Sequence, residues 1–361
     1  MIDEKTLFEY RKEIIETGKK LHDSGLLVRT WGNVSRRIDE DHFLITPSGI
    51  RYEDIKPEMI IPVRISDLFY EGDIKPSSEK AVHAACYRQR PENNFIIHTH
   101  QVFASAVGSL GISEISVRSS KYYIPVAKYA LPGGDELAKN VENTLEKNPD
   151  CSSIIMSNHG TICISDTSDE AFDEAMQMED FCRNYLLSRC GLTALELSGE
   201  KTEFIAVRDA DKDFRIENGA INDLVKEKLL KEIFSQRQDI SYIVSNNSEA
   251  VQRLIESGAS EMRPLLDDFA QLIGTKIQIS AAGKTPAIDD FVNAYFDPAN
   301  GSALCFGTNL DDAEAVEAVL EKGAVTMLAA LGTGKGSFLS EKDCIIMNEN
   351  YRKNYSKLAE E

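Results

Sequence analysis

The sequence lacks any long apolar run and any closely spaced pair of cysteines, and it has only six histidines. No stretch approaches the roughly 20 consecutive apolar residues that a membrane-spanning helix requires. The seven cysteines are scattered without a Cys-x-x-Cys motif, so neither a disulfide framework nor a thiolate zinc site is expected. The first residues also lack the basic and then apolar order of a signal peptide. Together, these absences predict a cytoplasmic protein that has no membrane partner.

Positive charge is under-represented as well. The chain has 40 Lys and Arg residues against 59 Asp and Glu residues, and its formal net charge is −19. Such a surface repels nucleic acid and anionic lipid, so neither is an expected partner. An anionic small substrate would therefore need a local pocket of hydrogen-bond donors. The 361 residues, 42% of them hydrophobic, are enough for two domains that each bury a core.

Strands alternate with helices through about the first 190 residues, a pattern that is typical of a layered α/β domain. The polar stretch that follows predicts a linker, so we expect a first domain at 1–192, a linker at 193–222 and a second domain at 223–361. The first domain has predicted helices at 3–24, 77–90, 101–109, 134–146 and 167–189, and predicted strands at 30–37, 42–50, 59–65, 95–98, 123–127, 152–156 and 161–165.

The second domain has the pattern of a diverged repeat of the first. Residues 301–316 echo residues 160–172, since each segment places a glycine, an apolar strand and an acidic helix start in the same order. The glycine-rich segment 331–337 lacks the Walker spacing and is interpreted as a loop. Helices are predicted at 223–236, 247–257, 311–322 and 341–360, and strands at 240–244, 276–280 and 303–306.

Two histidines lie two residues apart at the end of a predicted buried strand. His98 and His100 therefore share a face of that strand, and His159, after another apolar strand, is the obvious third candidate ligand. Three imidazoles would form a catalytic divalent-metal site with an open position. A single histidine is more often a packed structural residue, and His-x-His alone is a weak signal. All six histidines lie at or before position 159, so the second domain has no histidine-based metal site.

Small and hydroxyl-bearing residues recur near these histidines in three turns or caps. Glycines let backbone N–H groups approach a ligand, and serine hydroxyls at a helix start add neutral donors, so the three segments together predict a cradle for a phosphate or carboxylate. Taken singly, each segment could be an ordinary turn or cap. The residues are Gly32, Asn33, Ser48, Gly49, Ser77 and Ser78.

The first domain closely resembles the class II aldolase/adducin superfamily, which is typified by L-fuculose-1-phosphate and L-rhamnulose-1-phosphate aldolases. The resemblance covers about the first 190 residues, and its motifs occur in family order at family-like spacing. They are Gly32-Asn-Val-Ser35, Ile45-Thr-Pro-Ser-Gly-Ile50, Pro76-Ser-Ser-Glu79, His98-Thr-His100 and Asn158-His-Gly160, followed by the helix at 167–188.

This resemblance implies a layered α/β/α domain with a mainly antiparallel central sheet, followed by a degenerate second domain of similar type. It implies that His98, His100 and His159 bind zinc or another divalent metal. It also implies that Glu79 coordinates the metal in the empty enzyme and becomes the acid/base when substrate displaces it. The glycines, Asn33 and the serines of the three segments match phosphate-binding positions of the family.

The reaction implied by the resemblance is cleavage of a phosphorylated ketose to dihydroxyacetone phosphate and an aldehyde. Glu79 favours an aldolase over the related pentulose-phosphate epimerases, which carry Asp at this position. A dehydratase, an epimerase, a decarboxylase and a non-catalytic adducin-like assembly protein stay open as alternatives. Fuculose-phosphate aldolases carry a tyrosine between the His-x-His strand and the following Ile-Pro. It has no certain equivalent in this sequence, although Tyr122 and Tyr123 are candidates. Lys80 and His83 follow Glu79 and are interpreted as a solvated lysine and a packed histidine.

The family resemblance also bears on assembly. Its members are commonly tetramers with sites at subunit boundaries, so a homo-oligomer is expected, either a tetramer or a dimer that forms a pseudo-tetramer. The expected small-molecule partner is a sugar phosphate.

Overall fold

The structure is a computed structural model that describes residues 3–27, 29–116, 123–190, 201–209, 213–221, 224–279 and 292–354. The chain divides into two compact units, Met1–Leu186 and Leu187–Glu361. Within the described ranges, no helix is both long enough and apolar enough to cross a bilayer.

The first unit alternates strands and helices as the hydrophobic pattern predicts. Its first helix shows the local logic, because the Asp3 side chain accepts a hydrogen bond from the Thr6 backbone N–H and caps a helix whose Ile14 and Leu21 are buried. The helices are α1 (Glu4–Asp23), α2 (Lys80–Gln89), α3 (Val102–Gly108), α4 (Asp135–Lys147) and α5 (Ser168–Cys190). The strands are β1 (Asn33–Arg37), β2 (His42–Ile45), β3 (Ile61–Arg64), β4 (Phe95–Thr99), β5 (Glu114–Ser116), β6 (Tyr123–Ala127), β7 (Ser153–Met156) and β8 (Thr161–Ser165).

These eight strands form one sheet in the order β3-β2-β1-β4-β8-β7-β6-β5. Only the β6–β7 pair is parallel, and the other neighbouring pairs are antiparallel. Strand β4 lies inside the sheet, bonded to β1 on one side and to β8 on the other. The predicted α/β fold with a mainly antiparallel central sheet is confirmed.

Alternation along the central strands separates two faces of the sheet. Ile96 and Ile164 point to the face covered by α2 and α4, where they join a core cluster with buried residues of both helices. Ile155 points to the other face, because a Cβ built on Gly108 of α3 would lie 2.6 Å from its Cγ2. Helices therefore cover both faces, which gives the layered α/β/α arrangement.

The second unit has its own sheet, in the order β10-β9-β11-β15-β14. Its strands are β9 (Phe204–Asp209), β10 (Asp213–Gly219), β11 (Tyr242–Asn246), β14 (Ala294–Asp297) and β15 (Ser302–Gly307), and a separate two-stranded sheet joins β12 (Glu261–Met262) and β13 (Ile277–Gln278). Its helices are α6 (Leu224–Gln236), α7 (Glu249–Glu256), α8 (Asp267–Leu272), α9 (Leu310–Thr333) and α10 (Glu341–Asn354).

The strand connections of this second sheet follow those of the first. In each unit a hairpin (β1–β2, β9–β10) precedes a helix and a central strand (β4, β11), which pairs antiparallel with the first hairpin strand. That central strand then pairs antiparallel with β8 or β15, which pairs antiparallel with β7 or β14. The correspondence supports the predicted repeat. The domain limits and the degenerate aldolase-like character of the second unit stay proposals.

Several sequence-based boundaries of helices and strands were wrong, including the following three. Part of the predicted linker forms the hairpin of β9 and β10, in which Phe204 and Ala206 are fully buried. The hairpin was missed because its second strand, β10, is mostly exposed and polar. Helix α2 begins at Lys80 rather than at residue 77, and Glu79 is its N-cap. Helix α9 extends through residues 331–333 of the predicted loop and ends at Gly334, which takes the left-handed conformation with φ 66°.

The Glu179 side chain of α5 holds the start of α3. Its carboxylate accepts hydrogen bonds from the backbone N–H groups of Phe103 at 2.8 Å and Ala104 at 3.0 Å. We expect Glu179→Ala to lower the free energy of unfolding by about 1–3 kcal/mol, because two partly buried helix N–H groups lose their acceptor. Urea denaturation measures the change. The control Asp173→Ala, at an exposed position of the same helix, should change it by less than about 0.5 kcal/mol, and equal effects of the two variants would contradict this role of Glu179.

Candidate metal centre

Four side chains that were singled out from the sequence converge at one end of β4. The Glu79 carboxylate lies 2.8 Å from His98 Nε2 through one oxygen and 2.8 Å from His159 Nε2 through the other. His100 Nε2 lies 3.0 Å from His98 Nε2. Each of the four residues is at most 7% exposed. The predicted cluster of three histidines and one carboxylate is therefore assembled in a nearly dry position.

Backbone pairing sets the orientation of His98. Its Nδ1 lies 2.8 Å from the carbonyl oxygen of Thr161 on the adjacent strand β8. A carbonyl oxygen only accepts, so Nδ1 carries the proton and Nε2 of a neutral ring presents its lone pair. That lone pair points at the Glu79 carboxylate, which is also an acceptor when ionised. Two acceptors 2.8 Å apart require a cation between them, either a proton or a metal ion.

His159 comes from a tight turn between β7 and β8. Asn158 adopts the left-handed conformation with φ 60°, and the Gly160 carbonyl accepts a hydrogen bond from Met156 N–H at 2.8 Å. A Cβ on Gly160 would lie 2.3 Å from the Thr99 carbonyl oxygen and 3.0 Å from His98 Cε1. Only glycine fits between this turn and β4, so Gly160 brings His159 close to the other imidazoles.

The charge state of Glu79 follows from its neighbours. Burial alone raises the pKa of Glu79. When protons are the cations between the carboxylate and the rings, His98 and His159 are positively charged and donate hydrogen bonds to Glu79, and both effects hold the pKa of Glu79 well below its usual range. The carboxylate is therefore ionised in the buried cluster. A metal ion in the same place would favour the ionised form for the same electrostatic reason.

The donor set fits a divalent metal such as zinc. The ligand nitrogens of His98, His100 and His159 all lie within 4.8 Å of one another. Ligand atoms bound tetrahedrally about 2.0–2.2 Å from a zinc ion lie about 3.3 Å apart, close to the separations between His98 Nε2 and its neighbours. Zinc takes imidazole nitrogen and carboxylate oxygen readily. The bond from His98 Nδ1 to a backbone carbonyl is the outer contact that metal-binding histidines commonly make.

A series of buried polar side chains, linked by short polar contacts, begins at the Glu79 carboxylate. The Asn33 amide nitrogen lies 3.4 Å from Glu79 Oε2, and the Asn33 amide oxygen accepts a short hydrogen bond from His83 Nε2. His83 Nδ1 lies 2.6 Å from Ser35 Oγ, which lies 2.9 Å from the Tyr87 hydroxyl. The sequence correctly indicated that His83 is packed, but it did not reveal these contacts. The only available signal was the spacing of Glu79, His83 and Tyr87 at successive four-residue steps.

The three segments predicted to hold an anion also meet near this cluster. Ser48 N–H donates to the Lys75 carbonyl oxygen at 2.9 Å, which joins the 48–49 turn to the segment before Ser77. The Tyr52 hydroxyl donates to the Gly32 carbonyl oxygen at 3.2 Å and joins the same turn to the start of β1. The phosphate-binding roles stay predictions. They concern Gly32, Asn33, Ser48, Gly49, Ser77 and Ser78.

The family's tyrosine still has no identified equivalent. The hydroxyl of Tyr123, one of the two candidates, lies 3.0 Å from Asn148 Oδ1 and 3.3 Å from Glu114 Oε2, either of which can accept its one hydrogen. Tyr123 is 39% exposed. Tyr122 lies outside the described residues.

Comparison with known proteins gives consistent similarities. Residues 12–186 match the family described as Class II Aldolase and Adducin N-terminal domain. A 5-methylthioribulose-1-phosphate/5-deoxyribulose-1-phosphate aldolase of Escherichia coli is 35% identical over 185 residues, which are 50% of this chain and 84% of that protein. An L-fuculose phosphate aldolase of Haemophilus influenzae is 31% identical over 215 residues, which are 58% of this chain and 97% of that protein. A solved structure described as L-fuculose 1-phosphate aldolase is 24% identical, with TM-score 0.46 and coverage of 65% of this chain and 98% of that chain.

Gly160→Ala tests how closely the turn must approach β4. We expect its zinc affinity to fall by about 10- to 100-fold, because the added Cβ displaces the turn that carries His159. Chelator competition measures this affinity. Gly134→Ala is the control, since Gly134 has an ordinary φ of −89° and its Cβ would lie 3.3 Å from the nearest atom. Unchanged affinity in Gly160→Ala would contradict the proposed constraint.

His83 predicts a specific dependence of stability on pH. Burial, with a smaller contribution from His98, lowers the pKa of His83 from its usual value near 6.5 to about 3 in the folded state. Between these values the unfolded chain binds a proton that the folded protein does not, so stability falls as the pH falls. We expect His83→Gln to remove a slope of about 1.4 kcal/mol per pH unit below pH 6.5.

Urea denaturation of the two proteins at pH 7, 6 and 5, with chelator in every sample, measures this difference. Parallel stability curves would mean that the folded protein can protonate His83, and the expectation would then be wrong.

Proposed function

Because the chain belongs to the class II aldolase and adducin family, we propose that it is a zinc-dependent aldolase. The proposed reaction is the cleavage of a phosphorylated ketose to dihydroxyacetone phosphate and an aldehyde. The observation that carries this proposal is the pair of facing acceptors, His98 Nε2 and the Glu79 carboxylate, 2.8 Å apart and flanked by two further imidazoles. A buried arrangement of this kind is costly unless a cation occupies it.

In the proposed mechanism the metal and the chain's own residues have different roles. A bound divalent metal supplies Lewis-acid stabilisation of the negative charge that develops on the substrate oxygens when the carbon–carbon bond is cleaved. His98, His100 and His159 hold the metal. Glu79 is the acid/base, since its ionised carboxylate lies beside the imidazoles and can accept a proton from a substrate hydroxyl and return it to the carbon. Burial of the four side chains excludes bulk water from this proton transfer.

The three hydrogen-bonded segments that were predicted to hold an anion supply the proposed contacts to the phosphate group. The turn of Ser48 and Gly49, the serines before Glu79, and the start of β1 offer hydroxyls and backbone N–H groups rather than lysines. Such donors can bind an anion even though the chain as a whole carries a charge of −19. Their position next to the histidine cluster supports a substrate whose phosphate lies a few bonds from the reacting carbonyl.

The named relatives support the substrate class. A third relative, from Bacillus thuringiensis, is described as 5-deoxy-D-ribulose 1-phosphate aldolase and is 33% identical over 177 residues. The three relatives together are named for fuculose, methylthioribulose and deoxyribulose phosphates. We propose a ketose 1-phosphate with an unbranched chain of five or six carbons as the substrate class for this chain.

An adducin-like assembly protein without catalysis is the main alternative from a different functional class. Retention of the full metal-binding set together with Glu79 argues against it. Metal analysis of the purified protein distinguishes the two hypotheses. The site of an aldolase is expected to bind zinc tightly, so a content below about 0.2 equivalents of divalent metal per chain would favour the assembly protein.

The second unit and the oligomeric state are further parts of the proposal. The shared strand connections support a degenerate copy of the first unit, and no histidine lies in it. We propose a homo-oligomer, either a tetramer or a dimer in which the second unit takes the place of a missing subunit. The protein's place in cytoplasmic carbohydrate metabolism belongs to the same proposal.

Glu79→Gln tests the proposed acid/base. We expect turnover to fall by about 100- to 10,000-fold, because an amide cannot take up the proton, while the variant keeps its bound zinc through the three histidines. The assay follows triose phosphate release from a panel of ketose 1-phosphates, and metal content is measured on the same samples.

Glu53→Gln, an exposed carboxylate in the same unit, is the control and should have wild-type turnover. Wild-type turnover in Glu79→Gln would remove Glu79 from this role. Conversion of the panel substrates by wild-type protein without triose release would favour dehydration, epimerisation or decarboxylation on the same scaffold.

A further inference from the structure

A buried chain of hydrogen bonds begins at Glu79 and ends at Tyr87. Its members are Asn33 and Ser35 on β1 and His83 and Tyr87 on α2. They are 5%, 0%, 0% and 1% exposed, respectively. Asn33 and Ser35 are two residues apart on a strand, and His83 and Tyr87 are four apart on a helix, so each pair points to a common face. The chain therefore ties α2, which begins directly after Glu79, to β1.

The hydrogen atoms along this chain can be assigned one after another from Glu79. An ionised carboxylate only accepts, so the Asn33 amide nitrogen must face Glu79 Oε2 and donate to it. The Asn33 amide oxygen then faces His83, and the proton of that ring must be on Nε2. His83 Nδ1 is consequently an acceptor, and Ser35 Oγ donates to it at 2.6 Å.

Pairing between β1 and β4 connects this chain of hydrogen bonds to the strand that carries His98. Asn33 on β1 is the register partner of His98 on β4. A shift of the Asn33 side chain therefore changes the position of the Glu79 carboxylate relative to the His98 ring. Polar groups in such a dry place have few other partners, so the loss of one donor affects each group further along the chain.

We propose that His83 is a positioning residue that acts through Asn33 to orient the Glu79 carboxylate. This inference rests on the proposed aldolase function, because it assigns His83 a purpose in holding the acid/base. With Nε2–H in place, the Asn33 amide can present only its N–H side to Glu79. Without it, the amide can turn and present its oxygen, which repels the carboxylate. An amide nitrogen carries two hydrogens, so this role does not exclude the predicted phosphate contact of Asn33.

The tautomer of His83 can be read directly, without any turnover measurement. Nitrogen-15 NMR of imidazole-labelled zinc-loaded protein should show the His83 ring neutral with its proton on Nε2 at pH 7. The Asn33 side-chain amide resonance should shift in His83→Leu. A proton on Nδ1, or an Asn33 amide that does not respond to His83→Leu, would overturn the proposal whatever the enzyme's substrate is.

Kinetics then separate positioning from packing. We expect His83→Leu to lower kcat by about 100-fold with KM changed less than about 3-fold, as for a catalytic group displaced by a fraction of an ångström to 1 Å. His83→Gln, whose amide can still donate to Asn33, should recover to within about 10-fold of wild type. Ser35→Ala should lower kcat in the wild-type background but have no further effect on kcat in His83→Leu, because the two act through one chain.

Val82→Ala is the matched control, because Val82 is a buried neighbour on the same helix without a polar contact. It should lower thermal stability and leave kcat unchanged. If His83→Leu behaves like Val82→Ala, with wild-type kcat, His83 is only a packed residue and the proposal is wrong. If the wild-type protein turns over no ketose phosphate while the NMR result holds, the proposed function has failed and the hydrogen-bond assignment has not.

Discussion

The structure depends on one electrostatic constraint: an ionised carboxylate and three imidazoles share a nearly dry position at the end of a central strand. Glu79 is 6% exposed and lies within hydrogen-bond distance of two imidazole nitrogens. The His98 proton is already committed to the Thr161 carbonyl, so the ring and the carboxylate face each other as acceptors. Burying such groups costs several kcal/mol unless a cation balances them. The site is therefore built to hold a positive charge, which the proposed divalent metal would provide.

The surrounding sheet supplies the rigidity that this arrangement needs. Strand β4 is bonded on both sides, to β1 and to β8, so the ends of three strands are held in fixed register around His98. The turn that carries His159 fits only because Gly160 lacks a side chain. A small error in any of these pairings would separate the ligand atoms. Sites built on interior strands meet that demand better than sites on loops do.

The second unit repeats strand connections of the first, but it contains no histidine. Strand β11 takes the place of β4, but its last residues, Ser245 and Asn246, bind the backbone. Ser245 Oγ accepts from Phe204 N–H at 2.8 Å, and Asn246 Oδ1 accepts from Ser248 N–H at 2.9 Å. The polar side chains at this end of β11 therefore stabilise the backbone around them. The scaffold and the site are thus separable, since the site depends on a few side chains at strand ends and turns.

The sequence by itself determined the elements and the ligand candidates. The alternation of a strand is strictly two residues, so His98 and His100 had to share a face, and the strong apolar runs of the first unit fixed the strands next to them. Where the apolar pattern is weak, the prediction was wrong. The half-exposed hairpin of β9 and β10 was predicted to be part of a linker, because its burial comes from pairing with β11. Only the tertiary structure decided which residues form the hydrogen-bonded chain that begins at Glu79. The contacts of Asn33, Ser35 and His83 join residues about 50 positions apart, and no local periodicity encodes such a pairing.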